Sequence, residues 1–318
     1  MEILQYDFMQ RALLASLLVG LTAPVVGVYL VQRRLALIGD GLGHVARTGV
    51  ALGLLTGTAP VPVALACAVA GAVTIELVRV RGRATADVVL AVMFYGGIAG
   101  GVVLIGLSPE GTPANLNAFL FGSITTTSPA DLATFGALAV VVLLVTVGLA
   151  PQLFAVSNDE EFARASGMNV LGLNVLLAAL TAATVVISMR VVGLLLISAL
   201  MIVPNAVAQQ VARSFRGSVT IAVAVGVTVS VVGTGTSYYA GTPSGGTIVL
   251  LAVGVFLVTA LSATAVRVGH ARRHHRVEEH RHEHGPACGH DAVPHGDHVD
   301  YVHDGHRHAV HGAHYDDH

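Results

Sequence analysis

Apolar runs about one bilayer long alternate with short polar joints over residues 12–266. A helix takes roughly 20 mostly apolar residues to cross a hydrocarbon core. On that measure, spans are expected near 12–32, 36–57, 61–78, 87–107, 132–150, 171–188, 191–211, 218–240 and 246–266. The second run is less apolar than its neighbours, because it contains Asp40, His44 and Arg47. A polar stretch, 108–131, separates the fourth run from the fifth, and a joint holding Asp159, Glu160, Glu161 and Arg164 follows the fifth. The expected fold class is an all-α polytopic membrane protein of eight to nine transmembrane helices. The count is eight if the second run or the 112–127 segment is re-entrant. No fixed-period repeat stands out.

The pattern stops at residue 268. Residues 269–318 lack apolar periodicity and hold 15 of the 16 histidines. Such a stretch is expected to stay disordered, because it buries too little to offset chain entropy. Two units follow: a transmembrane domain, 1–268, and a His-rich tail, 269–318.

Composition sharpens this picture. The chain is 54% hydrophobic and 11% charged, where a soluble domain carries roughly 25% charged residues. Net charge is −2, which gives no basis for nucleic-acid binding. All 17 basic residues are arginine. A P-loop needs a lysine at its phosphates, so this chain cannot bind ATP by that route. Cys67 and Cys288 lie far apart and suggest no disulfide framework. The start, Met1 to Arg11, lacks the basic region and cleavage site of a signal peptide, so the first run is expected to be a retained helix. Orientation follows the arginines, which favour cytoplasmic joints. Arg33/Arg34, Arg79–Arg83, Arg164, Arg213/Arg216 and Arg267–Arg273 fall on alternate joints, with Arg190 the exception. This predicts an N-terminus outside and a cytosolic tail.

Two constellations bear on chemistry. Asp40 and His44 are one helical turn apart and share a face. Ionisable groups inside a span are costly and usually functional. An imidazole with a carboxylate is a half-site for a borderline divalent ion. The alternative is a helix-end aspartate with a histidine hydrogen-bonded inside the bundle. The second constellation is Asp159 to Gly167, with an acidic opening and a glycine able to end a short helix. By itself it reads as a solvated loop helix.

Together these segments resemble a family. Ile38-Gly39-Asp40-Gly41-Leu42-Gly43-His44 with Gly49-Val50-Ala51 is similar to the signature of the zinc/manganese ABC-importer permeases, the ABC-3 type. Glu161-x-Ala163-x-x-x-Gly167 resembles that family's cytosolic E-x-A-x-x-x-G helix. Phe119-Leu120-Phe121-Gly122, Val192 to Leu196 with Ile202-Val203-Pro204, and Thr242-Pro243-Ser244-Gly245 fall in order with them across 8–266. The resemblance implies a type II ABC-importer-like permease and a homodimer in the cell membrane. It implies an extracytoplasmic metal-binding protein as donor and a separate ABC ATPase beneath. No cofactor would be held permanently; Zn²⁺ or Mn²⁺ would be cargo. Asp40 and His44 would line the translocation path. Asp159, Glu160, Glu161, Ala163 and Gly167 would form the ATPase-coupling helix. Arg47 departs from the small or apolar residues common there, and would either repel an ion or pair with Asp40.

In the tail, His280, His282, His284, Cys288, His290, His306 and His308 are candidate metal ligands, in mixed rather than fixed sites. Imidazole and thiol donors favour zinc over manganese. The competing function is an ATP-independent metal transporter, or a metal-sensing membrane protein. The first predicts several ionisable pairs on different spans, whereas His44 is the only histidine outside the tail.

Overall fold

The computed structural model describes residues 5–82, 86–107, 120–123, 127–189, 192–194, 197–275, 289–295, 298–303, 306–311 and 314–317. Helices dominate: α1 (Asp7–Gln32), α2 (Ile38–Leu55), α3 (Pro60–Val80), α4 (Ala86–Gly106), α5 (Pro129–Gly148), α6 (Ala150–Asn158), α7 (Glu160–Ala165), α8 (Val170–Ser188), α9 (Ile197–Val211), α10 (Phe215–Ala240) and α11 (Ser244–His275). Local signals set many of the ends. Pro60 opens α3, where its missing N–H costs nothing. Ser128 and Asp131 close a reciprocal capping box at α5. Gly241 ends α10 in the left-handed region, at φ 63°.

Seven helices are long and apolar enough to cross a membrane: α1, α3, α4, α5, α8, α10 and α11. Two expected spans behave differently. α2 forms within the expected 36–57 run but is not among the seven. The 191–211 run yields only the 15-residue α9, which starts at Ile197 after a break where Gly193 adopts φ 90°. Of the proposed re-entrant segment, 112–127, only 120–123 and 127 are among the described residues.

α1 is the central helix, largely buried and packed against α10, α9 and α5. α2 sits between α3 and α4 and also meets α8. The outer faces of α4, α5 and α11 expose Val92, Leu144, Val147, Leu250, Val258 and Leu261. Such continuous apolar surface suits lipid, where helices satisfy their own backbone polar groups.

The chain divides into two compact units, Met1–Thr259 and Ala260–His318, with the division inside α11. Here two expectations need correction. The helix does not stop at 268 but continues to His275. The tail is not disordered throughout, since four strands form an antiparallel meander: β1 (Asp291–His295), β2 (His298–His303), β3 (His306–His311) and β4 (His314–Asp317). Val293, Val299, Tyr301, Val302 and Val310 supply the β-branched and aromatic residues that strands favour. Two-residue connections link His295 to His298, His303 to His306 and His311 to His314, each pair in direct register.

Candidate functional site

The glycines of α2 let it lie close to its neighbours. A Cβ on Gly39 would stand 3.2 Å from Ser198 Cβ, and one on Gly43 would stand 3.2 Å from the Leu194 carbonyl oxygen. This proximity brings the start of α9 to Asp40, whose Oδ1 accepts a 2.7 Å hydrogen bond from Ser198 Oγ. One turn on, His44 is 8% exposed, and its ring meets Phe94 edge-on at 4.5 Å between centroids. His44 Nδ1 is buried and makes no hydrogen bond. A buried imidazole nitrogen with no partner is an unmet acceptor or donor, and groups of this kind mark strained or functional positions.

α4 crosses α2 at the same point. Thr48 Oγ1 donates to the Gly97 carbonyl at 2.7 Å and to the His44 carbonyl at 3.3 Å. A Cβ on Gly97 would lie 2.6 Å from the His44 carbonyl carbon. The atoms it would meet, of His44 and Val45, are all backbone, so none can yield without moving a helix. Gly97→Ala is therefore expected to cost about 1–3 kcal/mol through overpacking. It should appear as a lower melting temperature of the detergent-purified protein.

Arg47 lies two turns beyond Asp40. Among the described residues it forms no ion pair with Asp40, and its buried Nε makes no hydrogen bond. Its side chain packs instead along Gly101 of α4. Of the two alternatives for Arg47, the pairing with Asp40 does not form among the described residues, where Asp40 accepts from Ser198 instead.

The Asp159–Gly167 segment forms the compact helix α7. The Asp159 side chain accepts from the Phe162 backbone N–H at 2.9 Å, and Glu160 and Glu161 sit in the positive first turn. Gly167, at φ 79°, closes the C-terminus, with Met168 N–H donating to the Ala163 carbonyl. Ala163 is fully buried against Val156 and Val170. This packing seats α7 on α6 and α8, while Glu161 and Arg164 stay exposed. Phe162 beside them is 63% exposed.

Glu160 corrects the solvated-loop reading. It accepts from Arg79 at 2.7 and 3.1 Å, from Arg33 at 3.1 Å and from the Asn174 amide at 2.9 Å. Both arginines also hold Glu76, which is fully buried on α3: Arg33 at 3.3 Å, and Arg79 through Nε and Nη2 at 3.1 and 3.0 Å. Two acids and two bases therefore tie α7 to the ends of α1 and α3. Burial alone would raise the Glu160 carboxyl. The hydrogen bonds and charge of Arg79, with Asn174 and Arg33, outweigh burial and hold its pKa below the usual carboxylate range. A groove of about 270 Å³ opens beside this cluster, lined by Gln32, Arg33, Arg34, Ser157 and Glu160 among others. The sequence carried one signal of the cluster, the Glu76/Arg79 spacing on α3.

The ABC 3 transport family matches residues 5–263, nearly the whole helical part. The chain belongs to the ABC 3 transport family. A probable metal transport system membrane protein of Treponema pallidum is 33% identical, over 85% of this chain and 99% of that protein. The manganese import system permease protein ScaB of Streptococcus gordonii is 29% identical, over 80% of this chain and 91% of that one. Among solved structures, PsaBC from Streptococcus pneumoniae in complex with Fab aligns with a TM-score of 0.72 and 29% identity, covering 81% of this chain and 92% of the other. As an ABC 3 member, this chain is a multi-pass membrane permease and a transport subunit.

In the tail, His280, His282, His284 and Cys288 lie outside the described residues. His290 precedes β1, and His306 and His308 are both on β3. Among the described residues, the three-donor cluster is a different one: His295, His298 and Asp300.

Proposed function

We propose that this chain is the permease of an ABC importer for a divalent transition metal, with zinc the cargo. The observation that supports this reading is the buried, unbonded His44 Nδ1, one turn from Asp40 on a polar helix inside an apolar bundle. One protomer supplies two donors, too few for tight binding, and a two-fold homodimer would bring four around its axis. Weak or shared sites suit a path that must also release its ion. Nine membrane segments fit this reading, with α2 and α9 packed inside the bundle. The arginine distribution favours an N-terminus outside and the tail in the cytosol, where it would receive imported metal.

A separate ATPase would dock on α7, and an extracytoplasmic binding protein would deliver the ion. Closure of the ATPase dimer would push α7, and the arginine–glutamate cluster would pass that displacement to α1 and α3. Manganese is the second reading, favoured by relatives such as ScaB and the carboxylate of Asp40.

Side-by-side uptake of radioactive zinc and manganese in cells lacking other importers is the test. Zinc uptake that exceeds manganese uptake at equal free ion supports the reading, and uptake of neither defeats it. In the same assay, Glu161→Arg on the exposed face of α7 is expected to cut uptake at least tenfold with normal membrane levels. Its side chain is exposed, so folding should be unchanged.

A further inference from the structure

The tail repeats a short histidine pattern with a period of eight residues. His295, His303 and His311 are spaced eight residues apart, and so are His298, His306 and His314. Two residues beyond each of the latter stands Asp300, His308 or Asp316. The triad His-x-x-His-x-Asp/His is therefore written three times in succession.

The strand register explains why the spacing matters. His295 and His298 face each other directly across the two-residue connection of the first hairpin. Opposed residues share a face, and so do residues two apart on one strand. Asp300 therefore joins both histidines on one face. The side chains bear this out. His295 Nδ1 stands 3.3 Å from Asp300 Oδ2, and His298 Nε2 stands 3.3 Å from Oδ1. All three donor groups fall within 4.8 Å of one another.

Asp300 is fully buried, and neither carboxylate oxygen accepts a hydrogen bond. A buried carboxylate that accepts no hydrogen bond is costly unless a cation, a protonated imidazole or a metal ion, sits against it. The spacing favours a shared ion over a direct pair. A charge-assisted N–H···O bond is usually about 2.7–2.9 Å long. Donors at about 2.0–2.1 Å from a tetrahedral zinc stand about 3.3 Å apart. The strand pairing thus holds each imidazole at that edge length from the Asp300 carboxylate, with all three donors within 4.8 Å of one another. The side chain of His295 is 54% exposed, which leaves a route for exchange with solvent.

We infer that the His295–His298–Asp300 turn is an ordered, exchangeable zinc site. It is distinct from the diffuse capture expected of a disordered histidine run, and it uses none of the residues singled out from composition. The two repeats of the triad occupy the same register positions at the second and third connections.

The test uses the full-length chain in detergent, stripped with a chelator and titrated with zinc, with cobalt as a spectroscopic stand-in. The wild type should show the absorption of tetrahedral cobalt. Asp300→Asn keeps the size of the side chain, and should remove one equivalent from the tight class or weaken it at least tenfold. His295→Ala/His298→Ala should remove the same equivalent. Unchanged stoichiometry and affinity in both variants overturn the site. Amide hydrogen exchange over 291–303 separates binding from folding. Zinc should slow exchange of the wild-type hairpin, and absence of slowing also overturns the site. Uptake is not among the readouts, so the tail site and the importer reading fail independently.

Discussion

Removing the Glu76 carboxylate is expected to be the most damaging single change in the helical unit. Glu76→Ala leaves Arg33, whose side chain is 5% exposed, with one partner fewer at a buried position. Arg79 loses a two-point contact with a fully buried acid. Breaking a buried pair by deleting one partner typically costs about 3–5 kcal/mol, because the remaining charge is left uncompensated. The expected result is a much lower melting temperature and poor recovery from the membrane. A wild-type melting temperature would show that the cluster carries little energy.

Loss of folding would mask any role in coupling, so a second variant separates the two. Arg33→Met/Glu76→Met removes one base and one acid together, and leaves Arg79 with Glu160 at 2.7 Å. Replacing a buried ion pair by apolar residues of similar volume is often neutral or stabilising. Stability is therefore expected to recover. If the cluster transmits motion from α7 to α1, uptake should stay low although the protein folds. Recovery of uptake along with stability would reduce the cluster to a structural clamp. The pH dependence has a definite sign. The Glu160 pKa is depressed, so the stability it lends is complete above the free carboxylate value, about 4.3, and falls only as pH drops through the lower folded value. Between pH 6 and 8 the clamp is expected to be constant.

The membrane part was legible because lipid imposes one rule on every span: about 20 apolar residues with the backbone paired internally. That rule located α1, α3, α4, α5, α8, α10 and α11. It also placed α2 despite Asp40, His44 and Arg47. Within 191–211 it did not reveal the turn at Gly193, with φ 90°, ahead of the 15-residue α9. The charge cluster was hidden for a different reason. Arg33 and Arg79 were read as markers of the cytosolic side, and Glu160 as a solvated loop acid. Their partnership spans three helices far apart in sequence, and no local pattern encodes it. The tail hairpins were missed because histidine was read as composition rather than as position. In the register of β1 and β2, the same residues become a defined set. For Asp40 and His44 the spacing sufficed to pair them, but the Ser198 hydrogen bond and the Phe94 contact required the folded helices.

His44→Ala is expected to lower metal uptake by more than tenfold while leaving the protein intact. The argument rests on what the ring does not do. Nδ1 makes no hydrogen bond, and the described packing partner is the edge of Phe94. Deleting the ring therefore breaks no hydrogen bond at Nδ1, and the space it leaves adjoins the Phe94 ring. Even outer-shell partners of a metal are worth about 10–100-fold, so loss of a direct donor should cost at least as much. Asp40→Asn provides the companion measurement. The amide keeps an oxygen for Ser198 but removes the charge, so the local hydrogen bond should persist while uptake falls. If a separate ATPase docks on α7 as proposed, its ATP hydrolysis should continue in both variants, because neither residue is on that helix. Normal uptake in both would remove Asp40 and His44 from the path. Low uptake with collapsed melting temperature would instead make His44 a packing residue of α2 and α4.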